Sequence, residues 1–164
     1  MTTDSAALTA LIDRAAIENL LADYYAHIGE AAFDFGAYFT ADGVLDVNGV
    51  VAKGADGIKA LYVRAGGGAG VEPPEPKDPN SPPKGRSHMQ MTNLKVEVKG
   101  DTAVAEFFFS SLRADTLISP PRVGEYGRER TELVKQNGRW LIKSRVCTTY
   151  GGMPEQLLKS YVRR

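Results

Sequence analysis

The sequence predicts an α+β fold in which helices come first and a curved, mostly antiparallel sheet follows. Three observations support this prediction. Residues 5–28 carry apolar side chains at helical spacing, residues 87–112 alternate apolar with polar side chains, and Asn-Gly pairs stand between runs typical of strands. Because helices precede a run of strands along the chain, we expect the helices to cover one side of a single sheet.

Three helices and a short hairpin are predicted in the N-terminal part. The first helix spans 5–28, and Gly29 is expected to end it. Its apolar stripe consists of Leu8, Leu11, Ile12, Ile17, Leu20, Leu21, Tyr24 and Ile28, with Asp13 and Arg14 off the stripe. A second helix over 31–39 and a third over 55–65 flank a hairpin whose turn is Asn48-Gly49.

Four long antiparallel strands are predicted to follow. Residues 87–112 read as a hairpin with its turn at Gly100-Asp101, because apolar and polar residues alternate on both sides of that turn. Two more strands, near 124–135 and 139–150, are joined by the Asn137-Gly138 pair. The chain therefore carries enough strand for one broad sheet.

Two segments depart from this regular pattern. Residues 66–86 hold six of the nine prolines and a glycine-rich start, a composition that predicts a long loop without regular backbone pairing. This loop is either a lid over a cavity or a mobile insertion that touches nothing. The tail from Pro154 predicts a short helix with Leu157, Leu158 and Tyr161 on its apolar side, which we expect to pack on a neighbouring subunit.

Composition narrows the classes of function. The 164 residues suit one domain, residues 1–164, with 20 basic and 20 acidic side chains and a formal net charge of zero, so neither nucleic acid nor a membrane surface is an expected partner. The single cysteine, Cys147, excludes an intramolecular disulfide and is expected to be a small buried residue. Without a signal-peptide or membrane-spanning pattern, we expect a cytoplasmic protein.

His88 is the first candidate for chemistry. If the strand alternates without a bulge, His88 falls on the same side as Leu94, Val96 and Val98, and its ring points toward the apolar face. An imidazole on the inner side of a curved sheet is suited to moving protons. The alternative interpretation is a structural histidine satisfied within the core, which is the commoner role for a lone histidine on an apolar face.

Four segments resemble the SnoaL-like branch of the nuclear transport factor 2-like superfamily. They are RAAIENLLADYY, the pair FTADGVLDV and KGADGIKAL, HMQMTNLKVEVKGDTAVA, and ELVKQNGRWLIKSR. The similarity covers most of residues 10–150, and the order and spacing of the segments make it specific for the fold. It implies a cone-shaped barrel, with the curved sheet packed against three N-terminal helices, an apolar pocket, and dimers or trimers. Function varies widely within this superfamily.

The resemblance also suggests roles for individual residues. In lyases such as scytalone dehydratase, a histidine at the start of the long strand is the general base, and His88 matches it. Tyr24 matches a tyrosine that acts on substrate or water, and Arg145 matches a late-strand arginine, although plain alternation turns Arg145 away from Trp140 unless a bulge intervenes. Two positions depart from the lyase pattern: Gly29 replaces the orienting aspartate, and Val47 replaces a second tyrosine.

The expected function is therefore a cofactor-free lyase or isomerase acting on a hydrophobic, aromatic or polycyclic molecule. His88 would move a proton, while Tyr24 and Arg145 would bind an oxygen that gains charge. The expected substrate-binding side chains are His27, Tyr62, Phe107, Phe109 and Arg113. No metal site is expected, since the chain holds two histidines and no metal-ligand spacing around them.

Three alternatives stay open. Arg113-Ala-Asp115 resembles the Arg-x-Asp of limonene epoxide hydrolase, but that chemistry needs a second carboxylate, and Trp140 to Tyr150 supplies none. A polyketide cyclase-like enzyme fits the same family. A ligand-binding protein that has lost catalysis is permitted by Gly29 and Val47. One extra residue between His88 and Asn93, relative to the commoner spacing, also allows a bulge that turns His88 to the other face.

Overall fold

The computed structural model describes residues 3–28, 33–64, 78, 80–153 and 155–160. The helices are α1 (Thr3–Ala26), α2 (Gly54–Arg64) and two 3₁₀ helices (Phe35–Tyr38 and Glu155–Ser160). The strands are β1 (Phe39–Val47), β2 (Val50–Lys53), β3 (Ser87–Lys99), β4 (Thr102–Arg113), β5 (Arg122–Gln136) and β6 (Arg139–Gly151). Helices before a run of long strands confirm the predicted α+β class.

The six strands form one mixed sheet in the order β2-β1-β6-β5-β4-β3. Only β1 and β6 run parallel, and the other neighbours are antiparallel. Within the described residues β2 and β3 are the two edges, so the curved sheet is not closed into a barrel. Helix α1 packs against β3, and α2 packs against β1. The core and the site lie between these helices and the concave face of the sheet.

The predicted turns are confirmed at both Asn-Gly pairs. Asn48 and Gly49 have φ of 50° and 89°, and Asn137 and Gly138 have φ of 51° and 77°. Two consecutive residues at positive φ make the tight turn whose twist matches antiparallel strands, and asparagine followed by glycine adopts it with little strain. The β3–β4 hairpin turns at Gly100, with φ of 59°.

The buried face of α1 differs from the predicted stripe. Ile17, Leu21 and Tyr24 are buried as expected, but Leu8, Leu11 and Ile12 are about 60% exposed. Asp13, predicted to lie off the stripe, is buried instead. Its Oδ1 accepts hydrogen bonds from Lys135 Nζ at 2.6 Å and from Trp140 Nε1 at 3.1 Å. These two hydrogen bonds to Oδ1 anchor the middle of α1 on β5 and β6.

Replacing Asp13 by alanine is expected to lower the free energy of unfolding by about 1 to 3 kcal/mol, because the buried Trp140 N–H and the Lys135 ammonium lose their acceptor. Urea unfolding of both proteins measures the difference. Arg14→Ala on the next residue is the control, since Arg14 pairs with Glu18 in an exposed i,i+4 contact and should cost about 0.5 kcal/mol or less. Equal losses in the two variants would contradict the anchoring role of Asp13.

Three predictions for the connecting segments change or stay open. The second predicted helix is reduced to the 3₁₀ helix Phe35–Tyr38, and the remainder of 31–39 includes residues outside the described ranges. The predicted loop 66–86 lies mostly outside them too, but residues 83–86 pair backbone to backbone with residues 114–117. The tail forms a 3₁₀ helix in which Leu157 is buried within the chain and Leu158 is 53% exposed, while Tyr161 lies outside the described residues. Packing of this tail on a neighbouring subunit stays a prediction.

Candidate active site

A one-residue bulge in β3 turns His88 away from the core. The register between β3 and β4 shifts by one residue between Thr92 and Lys95, and Asn93 sits in the bulge with φ of 56°. Side chains of even number face inward beyond the bulge, but odd-numbered Met89 and Met91 face inward before it. His88 is therefore exposed, and the prediction that its ring points to the apolar face is wrong.

A second bulge has the opposite effect on Arg145. The β5–β6 register shifts between Glu132 and Leu133, where β6 carries Lys143 as one extra residue. Alternation from Trp140 and Ile142 is thereby reset, and Arg145 turns inward to 4% exposure. Plain period-two counting places Arg145 outside, so the bulge brings this cation into the core.

Arg145 forms a buried ion pair with Glu129. Arg145 Nη2 lies 2.7 Å from Glu129 Oε2, and the two side chains are 5% and 0% exposed. Glu129 accepts three further hydrogen bonds, from Tyr25 at 2.7 Å, from Thr131 at 2.7 Å and from the Cys147 thiol at 3.3 Å. The predicted burial of Cys147 is confirmed, since it is 6% exposed.

These contacts hold Glu129 as a carboxylate. Burial raises the pKa of Glu129, but the charge of Arg145 and the hydrogen bonds from Arg145, Tyr25 and Thr131 outweigh it and leave the pKa below its usual value. The guanidinium of Arg145 correspondingly has its pKa raised well above the usual range, because nearby negative charge outweighs the cost of burial. The pair is a fixed dipole, and neither partner is suited to exchange protons with a ligand.

Two tyrosines extend the network from Arg145 toward α1 and α2. Arg145 Nη1 donates to the Tyr62 hydroxyl at 2.7 Å, and the Tyr62 and Tyr24 hydroxyl oxygens lie 2.5 Å apart. The guanidinium also stands over the ring of Tyr24, 4.4 Å from its centroid. Arg145 Nε is buried and has no hydrogen-bond partner among the described residues.

A partly enclosed cavity of about 100 Å³ adjoins this network. It lies between the end of α1, helix α2, the sheet and the C-terminal 3₁₀ helix. Its lining is Tyr25, Ile28, Leu45, Val47, Leu61, Tyr62, Met89, Phe109, Glu125, Arg145, Cys147 and Leu157. Most of these side chains are apolar, so the few polar groups decide how a bound molecule would be oriented.

Glu125 is the carboxylate in this lining, and it takes no part in the ion pair of Arg145 with Glu129. Burial raises its pKa, and a hydrogen bond from Thr149 Oγ1 at 3.1 Å together with the charge of Arg145 offsets part of the effect. Its backbone N–H donates to Ser111 Oγ at 2.7 Å, where β5 carries one extra residue opposite β4. A carboxyl group with a raised pKa at an apolar cavity is better suited than an ordinary glutamate to accept a proton from a bound molecule and to return it.

Sequence reasoning missed Glu125, although a signal was available. Counting back from buried Leu133 in steps of two gives Thr131, Glu129, Gly127 and Glu125, all on the inner face of β5. The interleaved arginines of this strand, Arg128 and Arg130, are exposed.

The other predicted site residues separate into two groups. Tyr62, Phe109 and Arg145 line the cavity, and Tyr24 is buried behind Tyr62. Phe107 is buried against Tyr25 and does not line the cavity. His27 stacks on Phe33 at 3.9 Å and is bonded to the Asp23 carbonyl oxygen, and Arg113 is exposed, so neither is part of the lining.

The Arg-x-Asp segment also lies on the surface. Asp115 is paired with Arg122, with Nη2 to Oδ1 at 2.7 Å, and both side chains are more than half exposed. A carboxylate held this way outside the cavity is not positioned to open an epoxide bound inside it. Asp115 therefore cannot serve as the acid that the epoxide hydrolase hypothesis requires.

No group of three or more His, Cys, Asp or Glu side chains among the described residues is arranged to hold a metal ion. No helix in the described part of the chain is long and apolar enough to cross a membrane.

The sequence matches the model of the SnoaL-like domain over residues 9–146. Among solved structures, an NTF2-like protein with a cystatin-like fold from Novosphingobium aromaticivorans is 21% identical, with a TM-score of 0.72 over 93% of this chain and 91% of the other. A protein of unknown function from Mycobacterium tuberculosis is 26% identical, with a TM-score of 0.65 over 85% and 72%.

A hexachlorocyclohexane dehydrochlorinase shares the fold more distantly. It is 18% identical, with a TM-score of 0.62 over 88% of this chain and 89% of the other. No curated protein matches the sequence significantly. The fold and the matched domain define an NTF2-like protein, and the chain belongs to the SnoaL-like domain family. This family includes lyases and isomerases.

Proposed function

We propose that this protein is a cofactor-independent lyase or isomerase that moves a proton on a small apolar molecule bearing a carbonyl oxygen, with Glu125 as the base. The observation that carries the proposal is the position of Glu125, a carboxyl group with a raised pKa in an apolar cavity that also contains Arg145 and Tyr62. In this proposal Glu125 takes the role that the sequence suggested for His88.

The chemistry needs one base and one site for developing charge. Glu125 would take a proton from the carbon beside the carbonyl group, and the electrons of the broken C–H bond would move onto the carbonyl oxygen as an enolate. Tyr62, with Arg145 donating to its oxygen from behind, would stabilise that developing charge. Protonated Glu125 would then return the proton to another carbon in an isomerisation, or pass it to a departing hydroxide, which leaves as water in an elimination.

The size of the cavity favours a compact substrate. A volume of about 100 Å³ suits a single ring better than the polycyclic molecule first expected. The fold is shared with a dehydrochlorinase, whose name denotes an elimination reaction, and this likeness is compatible with the proposal.

A cytoplasmic location and a homo-oligomer stay predictions. Exposed Phe108, Tyr126 and Tyr150 on the outer face of the sheet are compatible with the predicted homo-oligomer.

Deuterium exchange tests the proposal without knowledge of the natural substrate. Small aryl ketones, beginning with acetophenone, would be incubated with the protein in D₂O, and loss of the proton signal beside the carbonyl group would be followed by NMR. Exchange above the buffer rate, at a 1:100 ratio of protein to ketone, is the expected result. A panel of ketones that bind but exchange only at the buffer rate would contradict the proposal.

A His88→Ala variant is expected to keep the wild-type exchange rate, because the exposed imidazole does not line the cavity. The same NMR assay measures it. Gln90→Ala, on an exposed neighbour of the same strand, is the matched control for any general effect on the edge of the sheet. A rate at least tenfold lower in His88→Ala alone would restore the histidine as the base.

A ligand-binding protein without catalysis is the second candidate. The exposure of His88 and the presence of Gly29 where the lyases have an orienting aspartate both favour it. Saturable binding of the ketones without deuterium exchange would support this alternative over the enzyme.

A further inference from the structure

The hydrogen-bond pattern around Tyr62 leaves one proton without an acceptor among the described residues. Arg145 can only donate, so the Tyr62 oxygen accepts from Nη1 at 2.7 Å. Tyr24 is 0% exposed, and the hydroxyl of Tyr62, 2.5 Å away, is its hydrogen-bond partner among the described residues. If Tyr62 donated to Tyr24, the Tyr24 proton would be buried with no acceptor in the part of the chain that the structure describes. Tyr24 therefore donates, and the oxygen of Tyr62 accepts twice.

Since none of the described residues accepts it, the Tyr62 hydroxyl proton can bind a group inside the cavity. Tyr62 lines the cavity, whereas Tyr24 is not part of its wall. Two donors to the oxygen of Tyr62, one of them cationic, polarise its O–H bond and make it a stronger donor than an isolated phenol. The unpartnered Nε of Arg145 is a second sign that the described network lacks an acceptor.

We propose that Tyr62 is the hydrogen-bond donor for the carbonyl oxygen of the ligand, and that this hydroxyl makes the cavity selective for ketones and aldehydes over hydrocarbons of the same shape. The inference rests on the proposed function for its role in turnover, where the same hydrogen bond would strengthen as the oxygen becomes an enolate. Arg145 acts through Tyr62, because its charge is already paired with Glu129.

A pair of matched probes tests this selectivity by binding alone. Acetophenone and α-methylstyrene have nearly the same shape, but the first carries a carbonyl oxygen where the second carries a CH₂ group. The wild-type protein is expected to bind the ketone about three- to tenfold more tightly, the range for one net hydrogen bond. Tyr62→Phe should abolish this preference and leave the affinity for α-methylstyrene unchanged. A preference that survives in Tyr62→Phe would overturn the proposal.

Tyr24→Phe tests the direction of the hydrogen bonds. If Tyr24 donates to Tyr62, its removal leaves the Tyr62 proton free as before, and ketone affinity stays equal or falls. If Tyr62 instead donates to Tyr24, its proton is released in the variant and ketone affinity rises, which would contradict the inference. Tyr38→Phe is the control, because Tyr38 packs edge-on against Tyr24 while its hydroxyl bonds to Asp23 outside the cavity.

Infrared spectroscopy gives a readout that needs no variant. The C=O stretch of bound, ¹³C-labelled acetophenone should move to lower frequency than in hexane, as hydrogen bonding to Tyr62 requires. An unshifted band, or no binding of the ketone up to its solubility, would overturn the proposal. The two proposals can fail separately. If the protein prefers the ketone but catalyses no deuterium exchange, only the proposed enzyme is rejected. If Tyr62→Phe keeps both the exchange and the ketone preference, only the role of Tyr62 is rejected.

Discussion

Replacing Glu125 by glutamine is expected to lower the rate of deuterium exchange by about 10² to 10⁴-fold, which is the usual contribution of a positioned general base. Glutamine has nearly the same shape and keeps an acceptor for the Thr149 hydroxyl, but it cannot take a proton from carbon. The measurement is the NMR exchange assay with acetophenone, and binding of the ketone should change little.

Glu97→Gln is the control for this experiment, because Glu97 lies exposed on β3 in an ion pair with Lys95. Glu125 must be a carboxylate to act as a base, so the wild-type exchange rate should fall as the pH drops through its raised pKa, at a higher pH than for an ordinary glutamate. Undiminished exchange in Glu125→Gln would show that another group moves the proton.

An Arg145→Met variant is expected to lose about 3 to 5 kcal/mol of unfolding free energy, the cost of leaving a buried charge without its partner. Glu129 would remain fully buried, with Tyr25, Thr131 and Cys147 as its remaining contacts. Urea unfolding at pH 7 measures the loss. The exposed pair of Arg122 and Asp115 supplies the control, and Arg122→Met should cost about 1 kcal/mol or less.

The pH dependence of stability should also reverse. In the wild type the pKa of Glu129 is lower in the folded than in the unfolded protein. Glu129 therefore contributes to stability above its unfolded-state pKa, and this contribution is lost as the pH falls through its folded-state pKa. Without Arg145 the buried carboxyl would have a raised pKa, and the variant should become more stable as the pH falls. A double variant, Arg145→Met with Glu129→Leu, should recover part of the loss. A stable single variant with the wild-type pH profile would contradict this account of the pair.

The sequence predicted the features of the fold that depend on local patterns. Asn48-Gly49 and Asn137-Gly138 mark turns that few other residue pairs adopt easily, and alternation in β3 and β4 identifies both strands. The buried face of α1 was only half predicted. Asp13 is buried because Lys135 and Trp140, more than 120 residues away in the chain, surround it, and no pattern within the helix contains that information.

The orientation of the site residues depended on single extra residues in the strands. One bulge at Asn93 turns His88 outward, and one at Lys143 turns Arg145 inward, so plain alternation places both on the wrong face. A bulge is set by the register with the neighbouring strand, which a single strand does not reveal. Glu125, by contrast, keeps the parity of Leu133 and was within reach of the sequence alone.

The most direct test of the proposed chemistry is a crystal structure of the protein with bound acetophenone. We predict the carbonyl oxygen within hydrogen-bond distance of the Tyr62 hydroxyl and the methyl carbon against a carboxylate oxygen of Glu125. A ketone bound with its oxygen toward the apolar wall, or with its methyl group out of reach of Glu125, would contradict the account.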